Sequence, residues 1–140
     1  GLGQSVLDVT KNKWKQRPPL SKRILIIEDT DSIRATLCLQ MNRLGVLCDF
    51  AVSGIDALHH LQENHYGLIL MDLHMPLLNG YDAAKQINQQ KPKLPILALT
   101  ASAMLDIKDK AFESGMVDFV TKPFNPNDLY EKVLKNLPNT

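Results

Sequence analysis

The stretch Tyr66–Gly80, YGLILMDLHMPLLNG, drives a short apolar run straight into a carboxylate, and it constrains the fold more than any other part of the chain. Leu68, Ile69, Leu70 and Met71 show no polar alternation, so they read as a strand covered on both faces, as in the middle of a parallel sheet. Asp72 falls where that strand should end, and Pro76, Asn79 and Gly80 mark the turn that follows. By itself Asp72 is explained as a turn or capping residue, because Asp commonly accepts backbone N–H bonds at such places. Its company argues for more. Ile24–Ile27 ends in Glu28 and Asp29, Ile96–Leu99 ends in Thr100, and Phe119–Thr121 ends in Lys122. In an open α/β sheet the carboxyl ends of the strands face one crevice. Acids, a hydroxyl and a lysine gathered there form an inventory suited to phosphoryl transfer.

The remaining pattern alternates strands with helices. Lys22–Ile27 is the first strand, and Asp31–Leu44 the first helix, with Ile33, Leu37, Met41 and Leu44 at helical spacing. Gly45 closes that helix in a position that favours glycine. Val46–Val52 is interrupted by Asp49, which places it at a sheet edge. Ser53 with Asp56 forms a capping box for the second helix, whose stripe is Ala57, Leu58 and Leu61. A third helix runs from Gly80 to about Gln90, and Ile96–Leu99 is the fourth strand. Ala103, Ile107 and Ala111 mark a fourth helix stopped by Gly115, and Val117–Thr121 is the fifth strand. Asn125 and Pro126 open the last helix as cap and first residue; Leu129, Val133 and Leu137 line it, and Pro138 ends it. Strands and helices in this alternation predict a parallel sheet with helices on both faces, joined by right-handed crossovers.

A chain of 140 residues with a hydrophobic fraction of 44% is the size of one ordinary domain with its own core. The formal net charge of +1 supplies no field to draw nucleic acid or an anionic membrane. Nucleic-acid binding would need another domain. Gly1–Ser21, with Lys11, Lys13, Lys15 and Arg17 around Trp14 and then Pro18-Pro19, reads as a linker or N-terminal extension, which implies a further segment ahead of Gly1. Cys38 and Cys48 lack metal-ligand spacing and fall in core elements, so they read as reduced, packed thiols of a cytoplasmic protein. No run approaches the ~20 apolar residues of a membrane span. His59, His60 and His65 read as solvated.

The acidic pair Glu28-Asp29, MDLHMP around Asp72 with Gly80 following, LTA at Leu99–Ala101 and FVTKPF at Phe119–Phe124 resemble, in this order and separation, the receiver domain of two-component response regulators. The likeness spans about 22–140. The pair is Glu-Asp here, where the family more often has Asp-Asp. The resemblance implies a flavodoxin-like sheet in the order 2-1-3-4-5 with five helices, agreeing with the edge character of the second strand. It implies Mg²⁺ (or Mn²⁺) held by Asp29, Asp72 and the backbone carbonyl of His74, with Glu28 acting through water or, being longer than Asp, directly. It implies Asp72 as the phosphoacceptor, Lys122 as the counter-charge, Thr100 as the hydroxyl that meets the arriving group, and a cis peptide between Lys122 and Pro123. Thr100 and Phe119 would form the switch. Since a Phe ring has no hydroxyl, packing alone is expected to hold Phe119 in either position.

The implied partner is a histidine kinase or histidine phosphotransfer domain, and the resemblance also admits a homodimer through the fourth helix, fifth strand and fifth helix. LPILALTASAM and GMVDFVTKPFNP look most like receivers carried by hybrid sensor histidine kinases, whose parent chain can be membrane-anchored; a stand-alone response regulator is the alternative. On that reading the domain catalyses only its own phosphorylation and dephosphorylation. A rival from another class arises from Asp29-Thr30-Asp31, a DxD after the first strand, as in haloacid-dehalogenase-like aspartyl-phosphate phosphatases with Asp29 as nucleophile. It lacks the late acidic motif and leaves Asp72 unexplained.

Overall fold

The computed structural model describes residues 23–73, 80–101 and 105–137. Five strands alternate with five helices: β1 Ile24–Ile27, α1 Asp31–Arg43, β2 Cys48–Ala51, α2 Gly54–Glu63, β3 Leu68–Asp72, α3 Gly80–Gln90, β4 Ile96–Thr100, α4 Leu105–Glu113, β5 Asp118–Thr121 and α5 Pro126–Asn136. The strands form one sheet in the order β2-β1-β3-β4-β5, and every pairing is parallel. The flavodoxin-like order expected from the sequence is thus the one observed.

The side-chain period of two divides each central strand between two cores. Leu25, Ile27, Ile69, Met71, Ile96 and Ala98 face α2, α3 and α4, packing on Ala57, Leu61, Ala83, Ala84, Ile87 and Ala111. Ile24, Ile26, Leu68, Leu70, Leu97 and Leu99 face α1 and α5, packing on Leu37, Met41, Leu44, Leu129 and Val133. All five residues of β3 and of β4 are buried, as their unbroken apolar runs require.

Strand β2 is shorter at both ends than its sequence pattern suggests. Val46 is buried, but its N–H is taken by the Met41 carbonyl at the end of α1, so it belongs to the helix exit. Val52 is exposed, and its N–H goes to Asp56 Oδ2 at 3.0 Å, which starts the cap of α2. The capping box is shifted accordingly: Ser53 Oγ accepts from Asp56 N at 3.1 Å, while the return bond reaches Val52 rather than Ser53. Asn125 caps α5, accepting from the N–H groups of Asn127 and Asp128, with Pro126 following in the first turn. Ala103 and Pro138 lie outside the described residues.

Gly45 and Gly115 hold φ values of 77° and 92°, the left-handed conformation that ends α1 and α4. At Gly115 a Cβ would also stand 2.8 Å from Asn88 Cγ. Gly115→Ala is therefore expected to destabilise the domain by about 1 kcal/mol, read from urea unfolding. An unchanged midpoint would show that α3 and the α4 exit yield without cost.

Candidate phosphoryl-transfer site

The carboxyl end of the sheet collects the acids. Glu28 and Asp29 follow β1, Asp72 ends β3, and these three carboxylates each offer an oxygen within 4.8 Å of the others. Glu28 and Asp72 are buried and Asp29 is exposed, so the cluster opens to solvent on one side only. Lys122, just past β5, reaches across β4: its Nζ donates to Asp72 Oδ1 at 3.2 Å and lies 3.7 Å from Glu28 Oε2. The Lys122–Pro123 peptide is cis. The Lys122 backbone N–H donates to the Thr100 carbonyl at 2.7 Å, which ties the lysine to the end of β4. Thr100 itself is fully buried. His74 lies outside the described residues.

Two contacts that the sequence does not announce fix Glu28. Its Oε1 accepts from the Thr30 N–H at 3.1 Å, and its backbone carbonyl accepts from Arg34 Nη1 at 2.8 Å. Arg34 also pairs with Asp31 one turn earlier. Burial, and then Asp72 alongside, raise the Glu28 carboxyl from its ordinary range to about 7. The protein alone thus disfavours the ionised form of Glu28 beside Asp72. The donor set, hard carboxylate oxygens with one open side, fits a divalent cation such as Mg²⁺, which takes oxygen ligands at about 2.0–2.1 Å and keeps several waters.

Gly80 explains how α3 comes so close to this end of β3. A Cβ there would stand 3.1 Å from the Asp72 carbonyl oxygen and 3.1 Å from Leu73 Cα. Glycine therefore lets the helix start close against the strand that carries Asp72, where a Cβ would press on backbone atoms at less than ordinary van der Waals distance.

Phe119 lies half-buried on edge strand β5, against the core beneath α4. Packing alone does not hold its ring, contrary to the sequence expectation. Lys108 Nζ of α4 stands 4.9 Å from the ring centroid and Lys132 Nζ of α5 stands 4.8 Å from it. Lys132 also donates to the Phe119 carbonyl at 2.6 Å and lies 3.9 Å from Asp118 and 3.5 Å from Asp128. The Asp128/Lys132 spacing is a visible i,i+4 pair. The ring between two helices is not, because it depends on how the edge strand seats them.

Away from the site, His60 is also not simply solvated: it is half-buried, 3.7 Å from Asp56 and 3.4 Å from Tyr66 Oη. Tyr66 donates to Asp49 at 2.6 Å, which pairs with Arg23 at 3.2 Å. Cys38 and Cys48 are free thiols, both half-buried, and burial followed by the nearby Cys38 pushes the Cys48 thiol well above its usual range. Among the described residues no helix is long and apolar enough to cross a membrane.

Comparison with known proteins agrees with this geometry. The response regulator receiver domain family matches residues 24–134. The sensor histidine kinase RcsC of Escherichia coli K12 is 37% identical over 100 residues, covering 71% of this chain and 10% of that protein. This chain therefore spans about a tenth of that relative's length. The receiver domain of sensor histidine kinase PA1611 from Pseudomonas aeruginosa PAO1, crystallised with a magnesium ion coordinated in its active-site cleft, superposes with a TM-score of 0.75 at 30% identity over 83% of this chain and 97% of that one. The receiver domain of Saccharomyces cerevisiae Ssk1, crystallised with the histidine phosphotransfer protein Ypd1, gives 0.77 at 31% identity over 86% and 91%. With its sheet order, its carboxylate cluster and a match over most of its length, the chain belongs to the response regulator receiver domain family of two-component signalling.

Proposed function

We propose that Asp72 accepts a phosphoryl group from a phosphohistidine, and that the change is passed from the site to the face built by α4, β5 and α5. The observation that carries this reading is the Asp72 carboxylate, buried among acids yet 3.2 Å from Lys122 Nζ. In the transfer an Asp72 oxygen forms a bond to phosphorus as the phosphorus–nitrogen bond of the donor breaks, and the electron pair returns to the imidazole. Little covalent work is left to the protein beyond alignment and charge neutralisation. Lys122 lies where it can balance the oxygens of the incoming group while staying tethered through Thr100. Asp29, Asp72 and Glu28 are the residues that would hold Mg²⁺, with the His74 carbonyl as a further ligand; when bound, the cation offsets the charge of the carboxylates and phosphoryl oxygens. Thr100 closes β4 one residue beyond the strand partner of Asp72 and in register with Thr121 of β5, which supports its hydroxyl as the group that meets an oxygen of the phosphoryl group.

A groove of about 440 Å³ beside the site, between α1 and the segment after β5, is lined by Ile33, Thr36, Gln40, Lys122, Pro123 and Phe124. Its apolar residues next to the phosphoryl-accepting end support a histidine phosphotransfer domain as the partner, as does the complex in which the Ssk1 receiver was crystallised. The similarity to RcsC supports a place within a hybrid sensor histidine kinase.

Incubation with acetyl phosphate or phosphoramidate and Mg²⁺ is expected to add one phosphoryl group per chain, alkali-labile as an acyl phosphate is, and located on Asp72 by peptide mapping. Excess EDTA should stop the reaction, because uncompensated carboxylates repel the dianionic donor. Undiminished labelling in EDTA would overturn the metal assignment.

A further inference from the structure

The ring of Phe119 is approached by two ammonium groups that come from different helices. Lys108 approaches from α4 at 4.9 Å and Lys132 reaches round the edge of β5 from α5 at 4.8 Å, both within the range where a cation is attracted to an aromatic face. Lys132 is anchored by Asp118, Asp128 and the Phe119 carbonyl. Lys108, by contrast, makes no ion pair among the described residues, and its ammonium is placed by the ring.

Given the switch reading above, on which this inference rests, the aromatic on β5 must leave its position when Thr100 is drawn toward a phosphoryl group. We propose that Lys108 and Lys132 are positioning residues that clamp Phe119 in its unphosphorylated place, so that the phosphoryl affinity of Asp72 is set in part by charges on α4 and α5. Neither lysine pairs with Glu28, Asp29 or Asp72 among the described contacts. They act through the ring, by stabilising the state that binds the phosphoryl group less well.

The direction of the effect separates this role from simple electrostatics. Removing a cation from the protein should weaken the binding of an anion if only the field mattered. Releasing the clamp should tighten it. The test is the affinity for fluoroberyllate with Mg²⁺, measured by titration of amide resonances near Asp72. Lys108→Met is expected to bind about two- to fivefold more tightly than the wild-type chain, the range given by one exposed cation–π contact. Lys108→Arg, which keeps a cation over the ring, should restore wild-type affinity, and Lys108→Met in a Phe119→Leu background should change nothing further. Unchanged or weaker binding in Lys108→Met, or an equal gain in the Phe119→Leu background, overturns the proposal.

A second readout needs no phosphoryl analogue. The Cε protons of Lys108 should be shifted upfield by the Phe119 ring current, and Phe119→Leu should return them to their ordinary position. Without that shift there is no clamp. If the shift is present but the wild-type chain binds no fluoroberyllate, the phosphoacceptor reading itself has failed, and the regulatory role of the lysines falls with it.

Discussion

Asp72→Asn is expected to reduce phosphodonor labelling to background while leaving the fold intact. Asn matches Asp in shape and can still accept from Lys122 Nζ through its amide oxygen, so the contact made at 3.2 Å need not be lost. What disappears is the anionic oxygen that must form the bond to phosphorus. Asp29→Asn should behave differently, because Asp29 is exposed and contributes to the cluster rather than to the nucleophile. Labelling there should weaken through poorer cation binding and recover in part at higher Mg²⁺. The opposite pattern, label kept in Asp72→Asn and lost in Asp29→Asn, would favour aspartyl-phosphate chemistry on Asp29 and discard the receiver assignment of the site. Intact-mass measurement after acetyl phosphate treatment decides between the two.

The second large effect concerns stability and pH. Glu28 is fully buried, and burial, with Asp72 beside it, raises its carboxyl from 4.5 to about 7. The folded chain therefore holds a proton that the unfolded chain has released between these values. Stability from this group is fully present below pH 4.5 and is lost as the pH rises through about 7. In EDTA the unfolding free energy should accordingly fall by about 2–3 kcal/mol between pH 5 and pH 8, since each tenfold difference in proton affinity between the folded and unfolded chains is worth about 1.36 kcal/mol. Glu28→Gln, which can keep the Thr30 N–H bond through its amide oxygen, should flatten most of this slope. Saturating Mg²⁺ should flatten it as well, by favouring the charged form. Urea titrations across that range give the answer, and equal slopes in wild-type and Glu28→Gln chains would refute the cause assigned here.

The strand ends are legible in the sequence because each is the terminus of an unbroken apolar run, and such runs lead only into the interior of a parallel sheet. Hence Asp72, Thr100 and the Glu28-Asp29 pair can be placed from residue order alone. The edges are less legible. Val46 and Val52 look like strand residues by composition, yet the exit of α1 and the cap of α2 claim their N–H groups. The surroundings of His60 and Phe119 escape a sequence reading for a related reason. His60 meets Tyr66, and Phe119 meets Lys108 and Lys132, through contacts between separate elements that no local spacing encodes. Lysines in particular carry little positional signal, since most are solvated. Only the seating of α4 and α5 beside β5 turns these two into neighbours of one ring.

The bond from the Gly67 N–H to the Arg23 carbonyl at 2.8 Å fixes where the polypeptide joins the sheet, at the amino end of β1 and β3. The carboxylates lie at the opposite pole, about 15 Å away at roughly 3.3 Å per strand residue. A fluorescent protein, affinity handle or carrier fused ahead of Arg23 is thus hung from the far side of the molecule. Such fusions leave the acidic pole clear, which makes that junction the natural place for an immobilisation point in donor-binding assays.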